Sequence, residues 1–432
     1  MKKKNKFGDD TLSIHAGQKP DVEFGARAQP IYWTSSFVFD DTDSAASLFN
    51  MERAGHVYSR ISNPTVSSLE ERIASLESGV GSIVTSSGQS SLHLAISTLM
   101  NAGSHIVASS SLYGGSHNLL KYTLPRFGIH TTFIDSNKPE DFKKAIKKNT
   151  RLIFTETVAN PQLKVADIPT LAEIANESNI PLLVDSTLTS SYLINPIQYG
   201  ATLVMHSLTK FMSGHGTAMG GVIIDSGDFD WNLSKKFPTL TEPYEGFHNM
   251  VFTEESTNAA FLLRARREGL RDFGACISPM NAFLILQGIE TLNIRMEKHI
   301  SNTEEILSFL LKNEFVKEVI HPSLDNHPDY NLSKKLYSKG ISSIINFSLK
   351  GGFDSGKKFI DSLSLFSHLA NIGDAKSLVI HPASTTHFRM SKKELKDSGL
   401  SEGTIRLSIG LENSSDLIDD LKFALKKSHY SK

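Results

Sequence analysis

The sequence predicts an α/β protein with a large domain on a mostly parallel sheet, a smaller C-terminal α+β domain and an N-terminal arm. Three observations carry this. From Val66 onward, short apolar bursts alternate with helical patterns, the βαβα order of a parallel sheet covered on both faces. After Ser278-Pro279 the rhythm changes to fewer strands and longer helices. Before residue 65 there is no sustained period at all, only turn signals at Gly17, Pro20, Gly25 and Pro30. The expected division is an arm over 1–65, a first domain over 66–277 and a second over 278–432.

In chain order, Ile83-Val-Thr-Ser-Ser-Gly88 reads as a strand ending in a glycine turn. Leu92, Ala95, Ile96 and Leu99 follow it at helical spacing. Such a strand, turn and helix presents free N–H groups and the positive end of a helix dipole, where a phosphate can sit. Further strands are expected at Ile106–Ala108, Thr131–Ile134, Leu152–Thr155, Pro181–Asp185, Thr202–Met205 and Val222–Ile224, with a helical pattern from Ile168 to Ile174 among the spacers. Ser278 as N-cap and Pro279 at the first position open a long helix carrying Phe283, Leu286, Ile289 and Leu292 on one face. The second domain takes strands at Ile344-Ile-Asn-Phe-Ser and Thr404-Ile-Arg-Leu-Ser-Ile and a last helix with Leu417, Leu421, Ala424 and Leu425.

At 432 residues the chain exceeds one ordinary core, and 39% hydrophobic with 21% charged residues describes a globular protein. A formal charge of -1 argues against nucleic acid and membrane surfaces as partners. Lys2, Lys3, Lys4 and Lys6 resemble the start of a signal peptide, but Phe7-Gly-Asp-Asp stands where its apolar stretch would begin. The single cysteine, Cys276, excludes internal disulfides and a thiolate zinc cage, so a cytoplasmic protein without a metal is expected.

Ligands of parallel sheets sit beyond the carboxyl ends of the strands. Gly88, Glu156, Asp185 and Ser207 each end an apolar run, so they should gather along one edge. Just past Ser207, the stretch LVMHSLTKFMSGHGTAMGG (203–221) brings Thr209 and Lys210 to one point, with glycines that let the backbone approach a bulky group. A desolvated lysine amine loses its proton near neutral pH and condenses with a carbonyl, which makes Lys210 a candidate for a Schiff base. Asp185 either holds a cationic partner or caps a helix. Arg406, within an apolar strand, either meets a carboxylate or points out from a half-solvated sheet. Tyr58 and Arg60, two apart, would point the same way if their segment is extended; the alternative is a solvated surface Arg60.

The motifs SSGQSS (86–91), LYGG (112–115), ANP (159–161), LLVDST (182–187), HSLTK (206–210), HPASTTH (381–387) and IRLSIGLE (405–412) closely resemble the pyridoxal-phosphate enzymes of the Cys/Met metabolism family. The likeness runs from Ala26-Arg-Ala-Gln-Pro-Ile31 to the last helix. It implies the fold type I architecture of PLP-dependent transferases, with pyridoxal 5'-phosphate held as a Schiff base by Lys210. It further implies Asp185 paired with the ring nitrogen, and Tyr113 stacked on the ring and assisting proton transfer. Asn160 and Thr187 would lie near the ring. The phosphate would bind Gly88 and Gln89 through their N–H groups and the hydroxyls of Ser207 and Thr209. Arg406, aided by the backbone near Asn371, would take the substrate carboxylate. Tyr58 and Arg60 would reach the phosphate of a neighbouring subunit, which implies a homotetramer of catalytic dimers.

Within the family the chain is most similar to the enzymes that exchange the acetoxy group of O-acetyl-L-homoserine for sulfide or methanethiol. The extra segment from Phe229 to Thr257 is similar to one they carry, and with the arm it is expected to wall the substrate site. The γ-lyases, the cystathionine γ-synthases and a catalytically silent binding protein on the same fold are the alternatives. Gly115, where the methionine lyases carry a cysteine, counts against the first of them.

Overall fold

A computed structural model describes residues 7–50, 52–385, 388 and 400–429. The lysines at 2, 3, 4 and 6 and the last two residues of the motif at 381–387 lie outside the described residues. The large sheet has seven strands: β1 Gly81–Thr85, β2 His105–Ser109, β3 His130–Ile134, β4 Thr150–Glu156, β5 Leu182–Asp185, β6 Leu203–Ser207 and β7 Gly221–Asp225. Each of the seven expected apolar runs became one of them. Their order is β1-β7-β6-β5-β4-β2-β3. β7 runs antiparallel to both neighbours and the other pairings are parallel.

Both faces are buried, which is why these strands are apolar at consecutive positions. Val84, Val107, Ile153, Val184, Val204 and Val222 pack on one side; Ile83, Ile106, Phe154, Leu183, Met205 and Ile223 pack on the other. Because side chains alternate along a strand, Glu156, Asp185 and Ser207 share the second face with Phe154, Leu183 and Met205. The register sets Glu156 beside Asp185 and Asp185 beside Met205. Three polar side chains therefore end three adjacent strands on one side of the sheet.

A second sheet, of order β10-β11-β12-β9-β8, is built from β8 Val316–Ile320, β9 Ile344–Leu349, β10 Ser367–His368, β11 Leu378–Ile380 and β12 Thr404–Ser408. Its core of Ile345, Phe347, Ile405 and Leu407 is closed by Phe359 of helix Gly352–Ser362 and by Leu417, Leu421, Ala424 and Leu425 of helix Ser414–His429. Ser278 does cap helix Pro279–Glu290, its hydroxyl accepting the Met280 N–H at 3.3 Å. That helix ends at Thr291 and a second one, Leu292–Leu311, continues from it. The arm is less irregular than its sequence suggests. It holds two short helices, Asp9–His15, which buries Leu12, and Thr42–Phe49, capped by Asp41.

Candidate active site

The edge where β4, β5 and β6 end opens into a cavity of about 730 Å³. Gly88, Gln89, Tyr113, Asn160, Asp185, Thr187, Ser207, Thr209, Lys210, Asn371 and Arg406 all line it. Glycine makes its first wall possible. A Cβ on Gly88 would sit 2.8 Å from the Ser207 side chain, and one on Gly221 would sit 2.1 Å from the Ser87 carbonyl. The bare turn thus lays the start of helix Gly88–Leu99 against Ser207. Ser87 caps this helix by accepting the Ser90 N–H at 3.2 Å. The N–H groups of Gly88 and Gln89, in the first turn, have no intrahelical partner.

Asp185 Oδ1 accepts both the N–H and the hydroxyl of Thr187, at 2.9 and 2.5 Å. The same hydroxyl oxygen accepts the Ser207 N–H at 2.8 Å, tying the ends of β5 and β6 together. Burial raises the Asp185 pKa and the Thr187 bonds oppose the rise. Both bonds fall on Oδ1, so Oδ2 is left for a cationic N–H.

Lys210 follows β6 in a turn, and its Nζ donates to Asn371 Oδ1. Burial, and then the charge of Arg406, lower its pKa. The turn is held from beneath by Arg295, whose guanidinium donates to the carbonyls of Phe211 at 2.7 Å, Met212 at 3.2 Å and Gly288 at 2.7 Å. Gly214, at φ +74°, leaves room for that guanidinium, which a Cβ would meet at 2.1 Å. Arg406 turns inward from β12 and donates to Asn160 Oδ1 at 2.9 Å and to the Asn371 carbonyl at 3.3 Å. Burial pulls its pKa from 12.5 to about 10. Of the two readings of Arg406, the inward one is the structure's.

The remaining predicted residues fall less simply. The Thr209 hydroxyl donates to the Gly220 carbonyl at 3.3 Å, so it is already engaged. Gln89 reaches the Tyr113 turn, its Nε2 donating to the Gly115 carbonyl at 3.0 Å. Tyr58 and Arg60 do not line the cavity of their own chain; the guanidinium lies over the Tyr58 ring, 5.2 Å from its centre. Nor does any described residue of the arm or of the 229–257 segment line the cavity of its own chain. The segment is drawn away by its aromatics. Trp231 and Phe237 bury against each other and Phe261, and Lys236 donates to the Ser178 carbonyl, which precedes the start of β5 at the opposite edge of the sheet. Sequence reasoning gave Glu156 a place but no role, and missed Arg295. A charge inside the apolar stripe of Leu292, Met296 and Ile300 is the signal that could have found it.

A half-buried amine, carboxylate and guanidinium, each beside neutral partners, thus meet around one cavity. The chain belongs to the Cys/Met metabolism PLP-dependent enzyme family, whose profile matches residues 10–426. It is 48% identical to an O-acetyl-L-homoserine sulfhydrylase of Leptospira meyeri, over 97% of each chain. It is 45% identical to a homocysteine synthase of Schizosaccharomyces pombe, over 96% of this chain and 98% of that one. A crystal structure from Campylobacter jejuni, described as an O-acetylhomoserine (thiol)-lyase with N'-pyridoxyl-lysine-5'-monophosphate at one position, matches with a TM-score of 0.94. It is 37% identical and covers 97% of this chain and 100% of its own.

The residues present fit pyridoxal phosphate, the cofactor of the family. Lys210 offers an amine whose charged form is disfavoured, Asp185 an oxygen for a protonated ring nitrogen, and the Gly88 turn two amides beside the Ser207 hydroxyl for a phosphate. Among the described residues no helix is long and apolar enough to cross a membrane.

Proposed function

We propose that this enzyme replaces the acetoxy group of O-acetyl-L-homoserine with sulfide, or with methanethiol, to give L-homocysteine or methionine and acetate. The observation that carries the reading is the meeting of Lys210 and Arg406 on one residue, Asn371, which takes the amine on its side chain and the guanidinium on its carbonyl. A proton-transfer group and a carboxylate clamp are thereby held at a fixed offset, as an α-amino acid requires.

Bound pyridoxal phosphate supplies an electron sink for carbanions at the amino acid's Cα and Cβ. The protein's residues do the rest. Lys210 would hold the cofactor's aldehyde carbon, and its Nζ, whose charged form burial disfavours, would move the protons at Cα and Cβ. Asp185 Oδ2 would pair with the ring nitrogen and favour its protonated form. Gly88, Gln89 and Ser207 would bind the phosphate, and Thr209 would join them if its hydroxyl gave up the Gly220 carbonyl. Tyr113 would cover the ring, with Asn160 and Thr187 near it. Arg406 takes the carboxylate with both arms of its fork.

Among the described residues of this chain, the two cations lining the cavity are committed by these roles, which supports a neutral environment for the far end of the substrate. An acetyl ester suits such an environment, whereas a succinyl ester would bury a carboxylate without a partner. Sulfide is favoured over cysteine for the same reason. The arm exposes Val22, Phe24, Trp33, Val38 and Phe49, surface that supports packing against a second copy. In that assembly, a homotetramer of catalytic dimers, the neighbour's Tyr58 and Arg60 reach the phosphate. Residues 66–277 serve as the cofactor-binding domain and 278–432 as the domain that brings Arg406. A free Cys276 thiol suits work in the cytoplasm.

The test is kcat/KM for O-acetyl- and O-succinylhomoserine with sulfide, methanethiol and cysteine. The acetyl ester with sulfide should lead. A preference for the succinyl ester with cysteine would mean cystathionine synthesis, and thiol-independent release of a keto acid would mean a lyase.

A further inference from the structure

Of the three polar residues that end adjacent strands at the site, Glu156 alone has no part in the reading above. Its carboxyl is buried in the cavity wall and spans two loops. Oε1 accepts the Tyr113 N–H at 2.5 Å, and Oε2 accepts the Asn160 N–H at 3.3 Å. Tyr113 opens the turn of Gly114–Asn118 and lies 43 residues away in sequence. Asn160 carries the contact onward, because its side chain accepts from Arg406 at 2.9 Å.

We infer that Glu156 is a positioning residue that locks the backbone at Tyr113 and at Asn160, and through Asn160 fixes the Arg406 guanidinium for the substrate carboxylate. This rests on the roles proposed above for Tyr113 and Arg406. The residue type follows from the geometry. Two N–H donors converge on one point, and a carboxyl offers an acceptor to each, whereas a glutamine offers one acceptor and sets its NH₂ against the other donor. A second negative charge beside Asp185 would be costly, since the two residues are register partners. Burial, and then the charge of Asp185, raise the Glu156 pKa, which disfavours a second charge beside Asp185. A neutral carboxyl still accepts on both oxygens.

The test pairs hydrogen exchange at the Tyr113 and Asn160 amides of the holoenzyme with steady-state kinetics, in Glu156→Ala and Glu156→Gln. In Glu156→Ala both amides should exchange at least about tenfold faster and kcat/KM should fall about a hundredfold. Glu156→Gln should keep the shorter bond, so Tyr113 stays protected while Asn160 exchanges faster. Its KM for O-acetylhomoserine should rise about tenfold with kcat within about threefold. Unchanged exchange at both amides in Glu156→Gln, or a fall in kcat with KM unchanged, would overturn the inference, and this variant decides even where Glu156→Ala does not fold. If the wild-type enzyme does not turn over O-acetylhomoserine, that failure belongs to the proposed function. The exchange pattern would still decide whether the clamp exists.

Discussion

Removing the Arg406 guanidinium should cost substrate recognition without costing stability. Its pKa drops from 12.5 to about 10 because the charge is buried beside two neutral acceptors, Asn160 Oδ1 and the Asn371 carbonyl. At 1.36 kcal/mol for each tenfold change in proton affinity, that burial opposes folding by about 3 kcal/mol. An arriving carboxylate relieves it and adds two charge-assisted hydrogen bonds of about 1.5–3 kcal/mol each. Arg406→Ala should therefore lose about 3–6 kcal/mol of recognition, about 10²- to 10⁴-fold in kcat/KM. Arg406→Lys keeps the charge and loses the fork, so about one such bond, or ten- to a hundredfold, should go. Neither variant should unfold earlier than wild type in urea, because the freed acceptors face the cavity and its water. Kinetics with O-acetylhomoserine and denaturant midpoints, measured side by side, check both halves. If Arg406→Ala stayed within tenfold of wild type, or were clearly destabilised, the guanidinium would be a strut for Asn160 and Asn371 and not a clamp for substrate.

Asp185→Asn should leave folding intact yet cut turnover by orders of magnitude, since an amide no longer favours a protonated ring nitrogen; an unchanged rate would assign that nitrogen to another residue. Arg60→Ala and Lys210→Ala should each be inactive alone. Mixed subunits should regain activity through one intact site per pair, and no recovery despite exchange seen by mass would return Arg60 to its own chain. Asp225 is buried at the far edge of the sheet, with Oδ1 accepting the Gly227 N–H at 2.9 Å and Oδ2 without a partner. Burial pushes its pKa from 3.8 up to about 7. A carboxyl raised in the folded state contributes full stability below pH 4 and loses it as pH rises to 7, by up to about 4 kcal/mol. Asp225→Asn should thus match wild type near pH 4 and exceed it at pH 8, and equal midpoints at both pH values would refute the assignment.

The large sheet was legible because a strand buried on both faces must be apolar at successive positions, so its seven strands stood out as runs. The same rule marked Asp185 and Ser207, since polar residues that end such runs lie at the one edge left open. What escaped notice involves backbone partners or lengths too short for a period. Helix Asp9–His15 buries few side chains, so its seven residues show no stripe. Glu156 and Arg295 bond to N–H and carbonyl groups far along the chain, and every residue carries such groups, so no side-chain motif announces the contact. Trp231 and Phe237 of the 229–257 segment pack with Phe261 in the core on one face of the large sheet.

The charged groups of the cavity share a property that composition cannot show. Lys210, Arg406 and Asp185 are each desolvated, and each is held by neutral partners: Asn371, Asn160 and Thr187. Had each been paired with its opposite, the site would be more stable and the charges already neutralised. Kept apart at the rims of two different sheets, the two cations and the carboxylate form a template that a cofactor with a protonated nitrogen and a substrate with a carboxylate complete together. Because Asn371 joins Lys210 to Arg406 and Glu156 joins Tyr113 to Asn160, the template is rigid where the protons move.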